Sequence, residues 1–342
     1  MTPLRQALIA GGLLVALASA CGGQPATPAQ TDTPSQPTMP AQPSEPSPTA
    51  IPVRSRLEAI PAGAAMTLPE ADPMPPVLHS EEWLPPVPLP GPINTAGAED
   101  SAFVTPDGNR MIFFFTPLPQ LPPEQQLFDG VTGLYLSELS SGAWSEPRRL
   151  ILQDPERLAL DGCAFLLGKE LWFCSAREGN YRGIDLWIAD LRDGTASNWR
   201  NAGQEVNQEI GVGEMHLGSD GQTIYFHAPR PGASDFDLFL ARREGEGWGP
   251  AEPIALLNTE ETEGWPFLTE DGQELWFTRI TGGAPAVFRS VWGEADWSAP
   301  EMIVSVFAGE PTLDRAGNLY FIHHYIVDEA VADADIFFAA RR

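Results

Sequence analysis

Lysine is almost missing from this chain: Lys169 is the only one in 342 residues, and 20 basic side chains stand against 46 acidic ones, for a net charge of −26. So acidic a chain excludes nucleic acid as a natural partner and argues against adsorption to anionic lipid. Basic partners, cations or plain solubility remain as what the charge serves. Hydrophobic runs are short as well. The longest, from Ala7 to Leu17, is too short to span a bilayer comfortably. The familiar signatures of chemistry are also missing: there is no GxSxG elbow, no HExxH helix, no P-loop and no glycine-rich nucleotide fingerprint.

What the chain does have is a repeat. Trp83, Trp144, Trp199, Trp248 and Trp297 recur at intervals of 61, 55, 49 and 49 residues, as when loops vary around a fixed unit. Between them lie a tight turn and an aromatic strand: TPDGNRMIFFF (105–115), LLGKELWFC (166–174), SDGQTIYFH (219–227), EDGQELWFT (270–278) and DRAGNLYFI (314–322). The turn glycines, Gly108, Gly168, Gly221, Gly272 and Gly317, sit where a hairpin needs positive φ. A further strand follows each one, in GLYLSEL (133–139), DLWIADL (185–191), DLFLARR (237–243), AVFRSVW (286–292) and DIFFAAR (335–341). Each unit therefore reads as strands a, b, c and a Trp-marked strand d, the four-stranded blade of an all-β propeller. The Trp residues are expected in the core. The fifth unit ends at Arg342 without its strand d, while EEWLPPVPL (81–89) precedes the first turn and belongs to no unit of its own. The reading is a five-bladed β-propeller over 81–342, its ring closed by the N-terminal strand completing the last blade.

The pattern of acidic residue, short apolar strand, Asp-Gly, aromatic strand, Arg-Pro-Gly loop and Asp-Leu-Trp/Phe is clearest in GEMHLGSDGQTIYFHAPRPGASDFDLF (213–239). It resembles the TolB-type, WD40-like β-propeller repeats of bacterial envelope proteins. Leu167 and Ala316 replace the turn Asp in blades two and five, and Gly133 and Ala286 replace the Asp that opens strand c in blades one and four. The resemblance implies a fold and an envelope setting more than a reaction.

The first eighty residues read as address and tether. Arg5, the apolar stretch and small residues leading to Cys21 form a secretory signal over 1–20. LASAC (17–21) resembles a lipoprotein lipobox with Ala18 where Leu is usual, which implies acylation of Cys21; an ordinary signal peptide cut near Ala20 is the alternative. Residues 21–80 follow as a Pro/Thr/Ser-rich tether. Nine prolines in 25–52 forbid a core and give an extended spacer reaching roughly 100 Å. Residues 53–80 carry more apolar side chains, and whether they dock on the propeller is open. The protein is thus expected to be exported and lipid-anchored to the cell or outer membrane, with a monomeric propeller facing the periplasm or the exterior.

Cys163 and Cys174 flank the blade-two turn on one face and suit a disulfide or a packed thiol pair. His216 and His227 occupy the same offsets in blade three. Blade rotation turns the two pairs apart, so zinc is disfavoured and no metal set is assigned. On the face that carries the d–a and b–c loops, an acidic residue precedes each strand a: Glu99 with Asp100, Asp161, Glu214, Glu263 and Glu310. Arg177, Arg230 and Arg279 follow strand b on that same face. Enlarged loops at 116–132, with Phe128, and at 323–334, with His323, His324 and Tyr325, belong to blades that closure makes neighbours. Together they form the candidate binding face. Against this stands the reading that a repeated acid accepts backbone hydrogen bonds or pairs with a blade arginine. No cofactor is implied, although a ring of carboxylates can hold a hard cation such as calcium.

Two functions fit. One is a non-catalytic scaffold presenting a propeller face to an envelope protein or glycan. The other is a glycoside hydrolase with two mouth carboxylates about 5–10 Å apart. Hydrolysis needs unequal carboxylates, and only Glu99–Asp100 and Asp161 break the symmetry of the repeat, so the chain is read as no enzyme. A carrier of a small ligand in the channel is a third reading that the sequence does not separate from the first.

Overall fold

A computed structural model describes residues 54–230 and 235–342. The secretory signal, Cys21 and the tether up to residue 53 lie outside the described residues, as do Pro231 and Gly232 of the blade-three loop. The rest forms five antiparallel sheets. Blade one comprises Ala98–Val104, Arg110–Thr116, Gly133–Ser140 and an outer strand split into Ala143–Trp144 and Arg148–Arg149. Blade two is Ala159–Leu167, Glu170–Arg177, Asp185–Arg192 and Thr195–Asn201. Blade three is Met215–Leu217, Thr223–Pro229 and Phe236–Glu244, again with a split outer strand, Gly247–Trp248 and Glu252–Pro253. Blade four is Thr262–Leu268, Glu274–Thr281, Ala284–Val291 and Glu301–Ser305. Blade five takes Ala308–Leu313, Leu319–Val327 and Ala330–Ala339 from the C-terminus and Val87–Pro88 from the N-terminus. The protein is a five-bladed propeller closed as the missing strand requires, with Val87 opposite Phe338 and Pro88 opposite Phe337.

The repeated tryptophans do not all meet the same fate. Trp83, Trp248 and Trp297 are buried, Trp144 is half-buried, and Trp199 is 37% exposed. Trp199 departs from the core because blade two has a continuous outer strand, Thr195–Asn201, most of whose residues face solvent.

The innermost strands share a distortion. The ladder slips between Asp100 and Phe103, Gly162 and Phe165, Gly264 and Phe267, and Gly309 and Thr312. At each slip one residue adopts a left-handed backbone: Ser101, Cys163, Trp265 and Glu310, with φ between 41° and 53°. A β-bulge of this kind re-aims one side chain, and four repetitions around one channel make it part of the architecture. Cys163, as a bulge residue, bonds Cys174 in a disulfide with Cα atoms 5.4 Å apart. In the ladder Cys174 faces Gly162, and the bulge brings Cys163 into reach.

Residues 54–80, left open between tether and docked segment, pack on the propeller. Ser55 and Glu58 form a capping box that starts a single helical turn, Arg56–Ala59, and Arg56 is buried. Further along, Val77–Leu78 adds a fifth strand to the outer edge of blade four, opposite Ser305 and Val304. The expected tether boundary at residue 80 therefore moves back to residue 54 at the latest. Among the described residues no helix is long and apolar enough to cross a membrane.

Candidate functional site

The acidic residues assigned to one ring occupy two levels. Glu99, Asp161 and Glu263 precede the bulge, and each has an arginine. Arg279 Nε reaches Glu263 Oε1 at 2.7 Å and Arg177 pairs with Asp161, which also accepts from the Ser175 hydroxyl at 2.7 Å. In blade one Phe115 stands opposite Glu99, where blade four has Arg279 opposite Glu263. The missing cation arrives from the docked segment: Arg56 Nη1 lies 3.0 Å from Glu99 Oε1. The Arg56 guanidinium also lies 5.2–5.5 Å from the ring centres of Phe113, Phe115 and Tyr135. Thr95 and Thr259, each four residues ahead of its glutamate, donate both backbone N–H and hydroxyl to Glu99 and Glu263. Burial raises the Glu99 pKa, and Arg56 and Thr95 oppose that rise. Arg230 is likewise committed, with Nη2 2.8 Å from Asp237 Oδ1. These pairs hold blades together and leave no charge free for a ligand.

The second level is different. Glu310 is itself a bulge residue, and Glu214 stands the same seven residues ahead of its turn glycine. Both line the channel, with Asp100 beside them. None of the three has an arginine or lysine partner among the described residues. Glu214 Oε1 accepts from Trp265 Nε1–H at 3.0 Å, and burial, reinforced by Asp100, pushes its carboxyl up to about 8. Burial and then the charges of Asp100 and Glu214 raise Glu310 well above the usual carboxylate range. His324 Nε2 stands 3.8 Å from Asp100 Oδ1. The channel space here is only about 50 Å³. Counting back from the turn glycine placed both levels on one ring: Glu99 and Glu263 stand nine residues ahead and Glu214 and Glu310 seven, while Asp161, also seven ahead, joins the first level because the blade-two turn is two residues shorter.

Below this level an aromatic girdle closes the channel. Phe103, Phe165, His216 and Phe267 meet with ring centres 4.3–5.2 Å apart in sequence around the bore. His216 therefore packs between phenyl rings, and burial pushes its pKa down to about 3. On the far side of the girdle the channel opens into a funnel of about 880 Å³ at the Asp-Gly turn face. Its rim carries Asp107, Arg110, Glu270, Asp271, Asp314 and Arg315.

The expected wall of blades one and five forms only in part. Gln120 donates to Ala332 O at 2.9 Å, so the two segments do touch, and Phe128 is exposed. However, 323–334 is no open loop. Strands Leu319–Val327 and Ala330–Ala339 run on as a long hairpin turning at Asp328 and Glu329, both in left-handed backbone. His323 and Tyr325 are consequently buried, His323 against Asp72 of the docked segment at 2.8 Å and Tyr325 donating to Asp335 at 3.1 Å. Arg56 and Asp72 escape sequence reading because their partners are distant in the chain. The capping box around Arg56, Ser-Arg-Leu-Glu, was the one local signal that the segment begins an ordered element.

Asp335 yields a pH prediction. It lies midway along strand c of blade five, at the position where Asp185 opens strand c in blade two and accepts from two backbone N–H groups and Asn201. Asp335 has only Tyr325, and burial, followed by the charge of Asp333, lifts its carboxyl from 3.8 to about 8. A folded pKa above the unfolded one means that the folded state binds the extra proton between these values, so stability falls as pH rises through that window. Asp335→Asn keeps an acceptor for Tyr325 and removes the ionisation. Its melting temperature should match that of the native chain near about pH 4 and exceed it by several degrees at about pH 8. Parallel pH profiles for the two proteins would contradict this.

No family profile matches the chain, and no curated protein matches it. Solved structures do. TolB from Acinetobacter baumannii aligns at 14% identity over 73% of this chain with a TM-score of 0.40, and this chain spans only 56% of its length. A GH43 glycoside hydrolase aligns at 12% identity over 70% of this chain and 49% of its own, TM-score 0.40. XC5397, a gluconolactonase from Xanthomonas campestris, aligns at 12% identity over 72% of this chain and 86% of its own, TM-score 0.36. All of these lie far below 25% identity, so the assignment rests on the blades themselves: the chain is an all-β, five-bladed propeller.

Proposed function

We propose that this chain is a non-catalytic binding propeller of the bacterial envelope, exported and tethered by a lipidated Cys21, that takes a protein or glycan ligand at its Asp-Gly turn face. One observation carries the reading: the funnel of about 880 Å³ has an aromatic floor and a polar rim whose acids are already committed. Asp107 and Asp271 accept from the Thr hydroxyl and the backbone N–H of their own turns, and Asp314 accepts from Asn318. Glu270 forms a two-pronged pair with Arg315 at 2.7 and 2.9 Å. A concave apolar floor with fixed polar groups around it suits recognition, whereas acid–base chemistry needs carboxyl groups free to exchange protons. The opposite face is disfavoured because its arginines are committed to carboxylates of their own blades, Arg56 of the docked segment takes Glu99, and the long hairpin leaves His323, His324 and Tyr325 buried. The hydrolase reading loses ground for a related reason. The carboxylates without an arginine partner, Glu214 and Glu310 with Asp100 behind them, border about 50 Å³, room for a few waters and not for a sugar ring.

The test uses the full chain, since residues 54–80 belong to the folded body. It is offered to solubilised envelope protein and, separately, to a glycan array, beside Arg110→Glu/Arg315→Glu on the funnel rim. A saturable protein or glycan ligand whose affinity drops at least ~10-fold in the rim variant supports the proposal. Binding that ignores the rim, or no ligand of either kind, sinks it.

A further inference from the structure

The channel's second level has the chemistry of a metal site. Asp100, Glu310 and His324 each present one ligand atom, and these atoms lie within 4.8 Å of one another. The donors around a single first-row divalent cation, at about 2.0–2.2 Å from the metal, stand roughly 3–4 Å apart, so a contraction of at most about 1–2 Å would close the set. A second observation makes this more than an acidic cluster. Asp100 Oδ2, Glu310 Oε2 and His324 Nε2 are all buried and all without a hydrogen-bond partner, while Asp100 and His324 are 0% and 6% exposed. Buried polar atoms are almost always satisfied, and an orphan on each of three residues whose ligand atoms cluster within 4.8 Å calls for a partner. Among the described residues no arginine or lysine pairs with them, although the three acids one level away each receive an arginine.

The frame is rigid. Glu310 is fixed by its left-handed bulge and by its backbone N–H donating to the Thr278 hydroxyl at 2.7 Å. Asp100 Oδ1 is oriented by the Ser101 N–H at 2.9 Å, and His324 by its own backbone N–H, which donates to Phe307 O at 3.0 Å. Asp100 and His324 come from blades one and five, the two blades whose neighbourhood depends on ring closure. Glu310 also borders the small channel cavity, which gives an ion room for water on its open side and a route inward.

We infer that Asp100, Glu310 and His324 bind one first-row divalent cation, Zn²⁺ or Mn²⁺, as a clamp between blades five and one. The imidazole selects against Ca²⁺ and Mg²⁺, which prefer an all-oxygen shell, and two carboxylates with one nitrogen suit Zn²⁺ or Mn²⁺. Three protein ligands leave at least one position to water.

The experiment is metal analysis of the full chain after chelation and reloading, with calorimetric titration of Zn²⁺, Mn²⁺, Ca²⁺ and Mg²⁺ and melting curves in parallel. One equivalent of Zn²⁺ or Mn²⁺ should bind, and excess metal at about 100 times the dissociation constant should raise the melting temperature by about 5 °C or more. His324→Gln and Glu310→Gln keep size and polarity and should weaken binding by at least ~10-fold. The Mn²⁺-loaded native chain should also show nitrogen coupling in electron spin echo spectra that His324→Gln abolishes. No stoichiometric binding of Zn²⁺ or Mn²⁺ by the native chain overturns the inference, whatever the variants do. So do response to Ca²⁺ or Mg²⁺ alone and unchanged affinity in both variants when these are folded.

Discussion

Replacing Arg56 by Ala should cost the propeller about 3–5 kcal/mol, although the residue lies outside all five blades. Its guanidinium is 3% exposed and does four things at once. It neutralises Glu99, donates to Ile93 O at 3.0 Å, donates to Pro92 O and packs beside three aromatic rings. Truncation leaves Glu99 fully buried, with Thr95 as its remaining donor and no positive charge nearby. An unpaired buried carboxylate is far more expensive than the net worth of the pair that hid it, which is why the loss is large and also why it is reparable. Arg56→Ala/Glu99→Gln removes both charges and should recover a good part of the melting temperature lost by Arg56→Ala alone. Thermal unfolding of the native chain, both single variants and the double variant forms the cycle. Additive losses would show that Arg56 acts by packing only. The same reasoning predicts that a chain cut at residue 81 behaves like Arg56→Ala or worse.

That a tether-like stretch ends in a structural residue shows where sequence reading reaches its limit. Blade number, strand order and ring closure were legible because each rests on local, repeated signals: the Asp-Gly turns, the aromatic strand after them, and a surplus EEWLPPVPL strand matched by a missing one. Position within the channel was not legible. Glu99 stands nine residues ahead of its turn glycine and Glu214 and Glu310 seven, yet Asp161, also seven ahead, belongs with Glu99 because the blade-two turn is two residues shorter, so the count alone does not separate the two levels. One such step decides whether a carboxylate meets an arginine or faces the bore. His323, His324 and Tyr325 read as loop residues because Asp328 and Glu329, two non-glycine residues at positive φ, make a tight hairpin turn that no glycine announces. Arg56 and Asp72 find partners 43 and 251 residues away, and no local pattern encodes such contacts. Cys163 and Cys174 were the exception, because a disulfide across one hairpin is nearly local.

Trp83→Ala should be as damaging as the loss of Arg56, about 3–5 kcal/mol, and should act by unlatching the ring. The closing segment has little backbone to hold it. Pro85, Pro86, Pro88 and Pro90 lack N–H donors, and the pairing with the C-terminal strand rests on Val87 and Pro88, a bridge between Trp83 and Arg341, and three further backbone bonds, from Leu84 to Ala340, Leu89 to Ile336 and Arg342 to Glu82. Such prolines protect an edge from stray pairing, and the same property makes the closure depend on side chains. Trp83 bears that load. It is 1% exposed, donates Nε1–H to Gly317 O at 2.9 Å, and meets Trp276 edge-on with ring centres 5.5 Å apart. The Arg341 guanidinium lies 4.3 Å from its ring centre. Through these contacts one residue ties the N-terminal segment to the blade-five turn, the C-terminal strand and blade four. Trp199→Ala provides the control, because that ring is 37% exposed on blade two and its loss should cost well under about 1 kcal/mol. Hydrogen exchange should show the difference in kind as well as size. In Trp83→Ala the amides of Ala330–Ala339 and of 84–89 should lose protection ahead of the other blades, whereas Trp199→Ala should leave them unchanged. Equal melting losses in the two variants, or protection lost evenly around the ring, would mean that closure does not rest on Trp83.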